Sequence, residues 1–339
     1  MRTALDAVIL FALAVALHGP SLLRASRGAE ARGEGNGRQV ILVVADGLRW
    51  QEVFRGADSA LVFGKQGSDE ARRRFWRGSA PERRRALMPF LWSTVARQGA
   101  LVGNRDIGSS ARVTNDKWFS YPGYNEMLVG YPDPRIFRNE VGPNPNVTVF
   151  EWVLRRGAFR GRVAAVGMWR TFEDIFNARR SGIPVLHFDT DAETHANALR
   201  HLERVAPGAL FVGFGATDDL AHKGRYDAVL NAAHDIDRYL SELWSAAQAS
   251  PELRGRTTLI FVADHGRGRG ADWTDHGRDV PGSDETWMAI VGPDVAATGE
   301  LRTSITLAQT AATVAAALAL DYRRDVPRAA PAVGFGARR

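Results

Sequence analysis

The chain has 339 residues, 45% of them apolar and 24% charged, with a formal net charge of +6 and no cysteine. That length buries a sizeable core in one large domain, and the composition argues against disorder and a multi-span membrane protein. Without cysteine there is no disulfide, no thiolate metal site and no thiol nucleophile.

Arg2 precedes an apolar stretch over 7–17 that is short for a bilayer span, and Ala29-Glu30-Ala31 follows as a small-residue cleavage site. We read 1–31 as a secretory signal peptide, with cleavage near Ala25 or retention as an anchor as the alternatives, and 32–37 as a linker. Export places the protein in the periplasm or outside the cell, with membrane contact only through that segment. The catalytic domain is expected over 38–325, with an arginine-rich insertion over about 55–97 and a tail over 326–339.

Seven runs read as buried strands, at 40–45, 100–103, 162–167, 185–188, 210–215, 257–263 and 286–291. Most are unbroken apolar stretches, which suits strands covered on both faces. Helical spacing of Val229, Leu230, Ala233, Ile236, Leu240 and Leu243 predicts an amphipathic helix from Tyr226, and an alanine-rich helix is expected over 305–320. Asp235 and Asp237 are assigned to the solvated face of the first. Alternating strand and helix predict an α/β fold with a doubly wound, mostly parallel sheet and helices on both faces. The arginines at 72–74, 77 and 83–85 read as a solvated helical face broken at 78–81, not as a nucleic-acid site. A basic surface still attracts anionic substrates.

Chemistry-bearing residues stand where apolar runs end, the usual place for sites in such sheets. Asp46-Gly47 closes the first run. Ser120 precedes Pro122, and proline favours the first helical turn, so Ser120 falls at a helix N-terminus suited to an anion. Asp218 and His222 share one face at a spacing of four, with Asp219 as a competing ligand. Asp264-His265-Gly266 and Asp275-His276-Gly277 flank one glycine- and arginine-rich loop, and histidines in such a loop need partners. Metal binding is the natural partner. Trp118, Trp152, Trp169 and Trp287 are read as packing residues, with Trp118 and Trp169-Arg170 also placed to line an entrance. His187 and His234 are read as structural.

In this order the motifs resemble the alkaline phosphatase superfamily, especially its nucleotide pyrophosphatase/phosphodiesterase and phosphoglycerate-mutase-like metalloenzyme branches, over about 40–320. The resemblance implies two divalent ions. Asp218, His222 and His276 would hold one, and Asp46, Asp264, His265 and Ser120 the other, with Ser120 as nucleophile of a phosphoric ester hydrolase acting through a phosphoseryl intermediate on a small anionic phosphoester. The aspartate/histidine set suits zinc best, with manganese second and all-oxygen calcium disfavoured. The phosphodiesterase branch carries Thr-Phe-Pro-Asn where this chain has Ser120-Tyr121-Pro122-Gly123. The phosphate contacts are therefore expected from Asn115, Lys117 or Asn125. Sulfatases share the fold, but their Cys/Ser-x-Pro-x-Arg motif has Tyr124 here in place of arginine. A phosphonate- or phosphomutase-like member and a non-catalytic exported metal-binding protein are the remaining alternatives.

Overall fold

A computed structural model describes residues 37–336, so the signal and linker readings and the last three residues of the tail lie outside the described residues. The main sheet is built from β1 (Gln39–Ala45), β2 (Ala100–Val102), β3 (Val163–Gly167), β4 (Val185–His187), β5 (Ala209–Phe214), β6 (Thr257–Val262), β7 (Met288–Val291) and β8 (Gly299–Glu300). Their order is β8-β2-β7-β6-β1-β5-β3-β4. The central strands run parallel, and β7 alone runs antiparallel to its neighbours β6 and β2. The expected mostly parallel, helix-flanked sheet is present.

β1 has no polar residue after Gln39 because both faces are covered. Ile41, Val43 and Ala45 enter one core, and Val40, Leu42 and Val44 enter the other. The second core receives Tyr121, Tyr124, Met127 and Leu128 of α1 (Ser120–Val129). The first receives Ala198 and Leu202 of α2 (Asp191–Val205). After β5 the chain turns into α3 (Ala216–His222) and then α4 (Tyr226–Ala249), whose Val229, Leu230, Ile236, Leu240 and Leu243 pack into that same core. The last core helix, α5 (Gln309–Ala317), joins the second.

Three details differ from the sequence reading. The run at 286–291 is divided: Glu285–Thr286 pairs with Ser110–Arg112 in a separate small sheet before β7 begins. The helix expected from 305 starts at Gln309, because Ser304–Thr306 forms a strand beside Ser110–Arg112. The third concerns Asp237, which is buried and does not lie on a solvated face; Asp235 does face solvent. The Asp237 carboxylate accepts from the Phe90 and Leu91 amides at 2.7 and 2.8 Å. The insertion is thereby tied to α4, and Asp237 supplies acceptors to amides that begin a helical segment.

Burial pushes the Asp237 carboxyl up to about 7, against the lowering effect of those two amides. A group raised in the folded state binds a proton that the unfolded chain has already released, so its stabilising contribution is complete below the unfolded value near 4 and is lost as pH rises through about 7. We expect this one group to cost at most about 4 kcal/mol between pH 4 and pH 8. Urea unfolding of wild type and Asp237→Asn across that range checks it; a stability difference independent of pH contradicts it.

The insertion itself is helical around a capped break. Ser79 Oγ and its amide both donate to Glu82 Oε2 at the start of Ala80–Leu87. Several arginines have partners, Arg72 with Asp69, Arg84 with the distant Glu300 and Arg83 over the Trp76 ring. Among the described residues, no helix is long and apolar enough to cross a membrane.

Candidate metal centre

Because β5, β1 and β6 are adjacent and parallel, their carboxyl ends open at one place. Asp46 directly follows β1, Asp264 lies two residues past β6, and Asp218 sits on α3 after β5. Across from them α1 presents Ser120 from its first turn.

His265 is the hub. Its Nδ1 lies 2.8 Å from the Gly266 carbonyl, and a carbonyl only accepts, so Nδ1 carries a proton and, in the neutral ring, Nε2 holds the lone pair. That lone pair lies 3.3 Å from Asp46 Oδ1, 3.5 Å from Asp264 Oδ2 and 3.4 Å from Ser120 Oγ. Each carboxylate is held by its other oxygen. Tyr124 donates its hydroxyl to Asp46 Oδ2 at 3.1 Å, and the Gly47 amide donates to Asp264 Oδ1 at 3.1 Å. Asp46 Oδ1 and Asp264 Oδ2 are buried with no hydrogen-bond partner. Two bare carboxylate oxygens and an imidazole lone pair converging on one point are mutually repulsive without a cation. They fit a divalent ion, with Tyr124 and Gly47 orienting the ligands.

The second group adjoins it. His222 Nε2 stands 3.0 Å from His276 Nε2 and 3.2 Å from Asp218 Oδ2, while His276 Nε2 is 3.6 Å from Asp218 Oδ1. Two constellations satisfy metal-ligand proximity, Asp46–Asp264–His265 and Asp218–His265–His276, so His265 lies between the two positions.

The electrostatics agree. Burial, reinforced by neighbouring carboxylates, pushes the Asp46 and Asp264 carboxyls well above the usual range. Burial acts in the same direction on Asp218, yet His222 and Arg267 together hold its carboxyl below the ordinary value. Burial above all drives His276 down to about 2, which keeps this imidazole neutral, with a lone pair available to a metal. In this cluster the three aspartates face one arginine, Arg267, whose guanidinium bonds Asp218 Oδ1.

A cavity of about 420 Å³ opens above Ser120, Asp46 and Asp218, walled by Asn139, Trp169, Arg170 and His187. A larger recess of about 570 Å³ around Tyr131 and Arg328 contains none of these groups. Of the three residues expected to contact phosphate, none lines the cavity above Ser120. Asn125 is fully buried and its Oδ1 accepts from Asn144 and Asn146. Asn115 is also buried; its Oδ1 accepts from the Lys117 and Trp118 amides and its Nδ2 donates to Glu126. This clamp holds Trp118 at φ 55, just ahead of Ser120. Lys117 pairs with Asp116. His187, read as structural, instead faces the cavity, as does Trp169.

Asn139 was not singled out by any motif. Its Oδ1 accepts the Tyr121 amide at 3.0 Å, at the first turn of α1, which leaves its Nδ2 as a donor beside Ser120. Gly123, the departure from the asparagine of the phosphodiesterase branch, has a packing cause: a Cβ there would lie 2.5 Å from the Asp264 carbonyl oxygen. Only glycine lets α1 approach the strand end this closely.

The Metalloenzyme superfamily model matches residues 177–322, which include Asp218, His222, Asp264, His265 and His276. No curated protein matches the chain in sequence. Among solved structures the chain is similar to a protein of the alkaline phosphatase superfamily from Vibrio parahaemolyticus, at 15% identity and TM-score 0.55 over 84% of this chain and 67% of that one. It is also similar to a putative sulfatase from Bacteroides thetaiotaomicron, at 12% identity and TM-score 0.58 over 84% and 71%. A third is murine ectonucleotide pyrophosphatase/phosphodiesterase 5, an inactive form in complex with AMP, at 12% identity and TM-score 0.56 over 88% and 97%. Fold and site together define an α/β fold whose strand ends gather a candidate metal-ligand cluster, partly within the region that the Metalloenzyme superfamily model matches. The resemblance to the alkaline phosphatase superfamily holds; at these identities the solved structures speak for the fold alone, and they span sulfatases and phosphodiesterases.

Proposed function

We propose that the chain hydrolyses phosphoric esters with Ser120 as nucleophile. The observation that carries this reading is the position of Ser120 Oγ, 3.4 Å from His265 Nε2 and lining the cavity. Asp46, Asp264 and His265 would hold one divalent ion, and Asp218, His222 and His276 a second. Zinc is favoured and manganese is the next choice, because imidazole and carboxylate are mixed. When bound, such ions supply Lewis acidity that acidifies a hydroxyl and offsets charge on the transferred group.

The chain's own residues account for the remaining steps. Ser120 Oγ gives its proton to solvent and forms the bond to phosphorus as the ester oxygen departs in line and takes a proton from solvent; water then hydrolyses the phosphoseryl ester from the vacated side and Ser120 regains its proton. The Asn139 Nδ2 donates to a non-bridging oxygen, and the α1 N-terminus favours the same charge. Trp169, Arg170 and His187 line the wall where a leaving group rests, and the cavity falls within the range that takes a small organic ligand. Export through the segment at 7–17 remains part of the proposal and rests on the sequence.

A sulfatase-like reaction is the second reading, favoured by the Bacteroides neighbour and by Ser120-x-Pro122. Against it, Tyr124 stands where that motif needs arginine and its hydroxyl is used on Asp46. The reaction is tested by initial rates on an aryl phosphate, a bis-aryl phosphate and an aryl sulfate after zinc or manganese loading. Phosphate-ester turnover that falls at least ~10³-fold in Ser120→Ala supports the proposal. Dominant sulfate turnover assigns the second reading, and bound metal with no turnover of any ester favours a non-catalytic role.

A further inference from the structure

Arg267 directly follows Asp264-His265-Gly266, the first of the two Asp-His-Gly triplets, and is nearly inaccessible, with a side-chain exposure of 1%. Its fork is fully engaged. Nε donates to the Trp273 carbonyl at 3.1 Å, Nη2 to the Thr274 carbonyl, and Nη1 to Asp218 Oδ1. Gly47 packs against the same pair: a Cβ there would lie 2.5 Å from Asp218 Oδ1 and 3.1 Å from Arg267 Nη1. Two backbone carbonyls and this close packing prevent the guanidinium from swinging aside. No arginine or lysine among the described residues makes such a contact with Asp46 or Asp264, whose inward oxygens are bare.

We infer that Arg267 makes the two candidate ion positions unequal: Asp46, Asp264 and His265 take one ion first and tightly, while Asp218, His222 and His276 take the other weakly. The inference rests on the metal-dependent reading above. A divalent ion at Asp218 stands beside a fixed positive charge in a site largely screened from water, and the two repel. It also finds only one oxygen of Asp218 outside the arginine contact, Oδ2, which faces His222. His222 is 43% exposed, so this position loses its ion to solvent more readily than the buried one.

The test is an equilibrium titration of the metal-free chain with Zn²⁺ against a chromophoric chelator, with ions per chain counted by mass spectrometry after gel filtration. Wild type is expected to retain one ion, with the second roughly 100-fold weaker. Arg267→Met is expected to narrow that gap to about tenfold or less, because the charge is gone. Arg267→Gln, which keeps an amide for the loop carbonyls, repeats the measurement if the methionine variant does not fold. Asp218→Asn in the wild-type background is expected to leave the tight ion in place. Two ions of equal affinity in wild type, an unchanged gap in both neutral variants, or loss of the tight ion from folded Asp218→Asn overturns the inference while leaving the metal-dependent reading intact. Absence of any bound ion from wild type overturns both.

Discussion

Asp264→Asn is expected to abolish turnover while making the metal-free protein more stable. Asp264 is fully buried; Gly47 satisfies Oδ1, whereas Oδ2 faces the His265 lone pair and Asp46 Oδ1 with no donor. An asparagine that keeps Oδ1 on the Gly47 amide turns its NH₂ toward those acceptors, replacing a cation with two protons. The same change removes one of the crowded negative charges. Relieving a buried, unpaired carboxylate is expected to raise metal-free stability by about 1–3 kcal/mol. Loss of a charged ligand is expected to lower turnover by at least ~10³-fold and to erase the rise in melting temperature on zinc addition. Thermal unfolding with and without zinc, alongside initial rates, reads both signs. A variant that is less stable without metal yet still stabilised by it would show that the cluster is an ordinary hydrogen-bonded core.

Gly123→Ala is the second large effect, and it acts on geometry and not on charge. Alanine inside a helix normally gains up to about 1 kcal/mol over glycine. Here the new methyl would meet the Asp264 carbonyl oxygen at 2.5 Å and its carbonyl carbon at 3.2 Å. The start of α1 must therefore move away from the end of β6, taking Ser120 away from His265. We expect about 1–3 kcal/mol of lost stability and a fall in kcat of about 100-fold, since misplacing a reacting group by about 1 Å has that scale. Gly157→Ala, where nothing lies within 4 Å, is the control and should be close to neutral. Equal behaviour of the two variants in unfolding and kinetics would refute the close-approach argument.

The site was legible wherever chemistry is local to a strand end. Unbroken apolar runs marked β1, β5 and β6 because both their faces are covered, and the next carboxylates, Asp46, Asp218 and Asp264, had to emerge at one end of a parallel sheet. Paired Asp-His-Gly triplets around a short loop pointed to metal for the same reason, since imidazoles there have few other partners. The polar lining of the cavity above Ser120 was not legible. Asn115 and Asn125 have suitable side chains near Ser120 in sequence, but backbone amides, Glu126 and other asparagines already engage them. Asn139 lies outside the motif and reaches the site only because the chain folds back on the first turn of α1.

By itself, then, the sequence determined the layered α/β class, the strands that carry the carboxylates and the helix that presents Ser120, because periodicity and strand-end chemistry are short-range properties. Only the tertiary structure decided which oxygens are bare, which way His265 turns its lone pair, that Asp237 anchors the insertion and that Arg267 holds Asp218. Each of those contacts joins residues far apart in the chain or depends on a neighbour's exact orientation, and burial sets its energy.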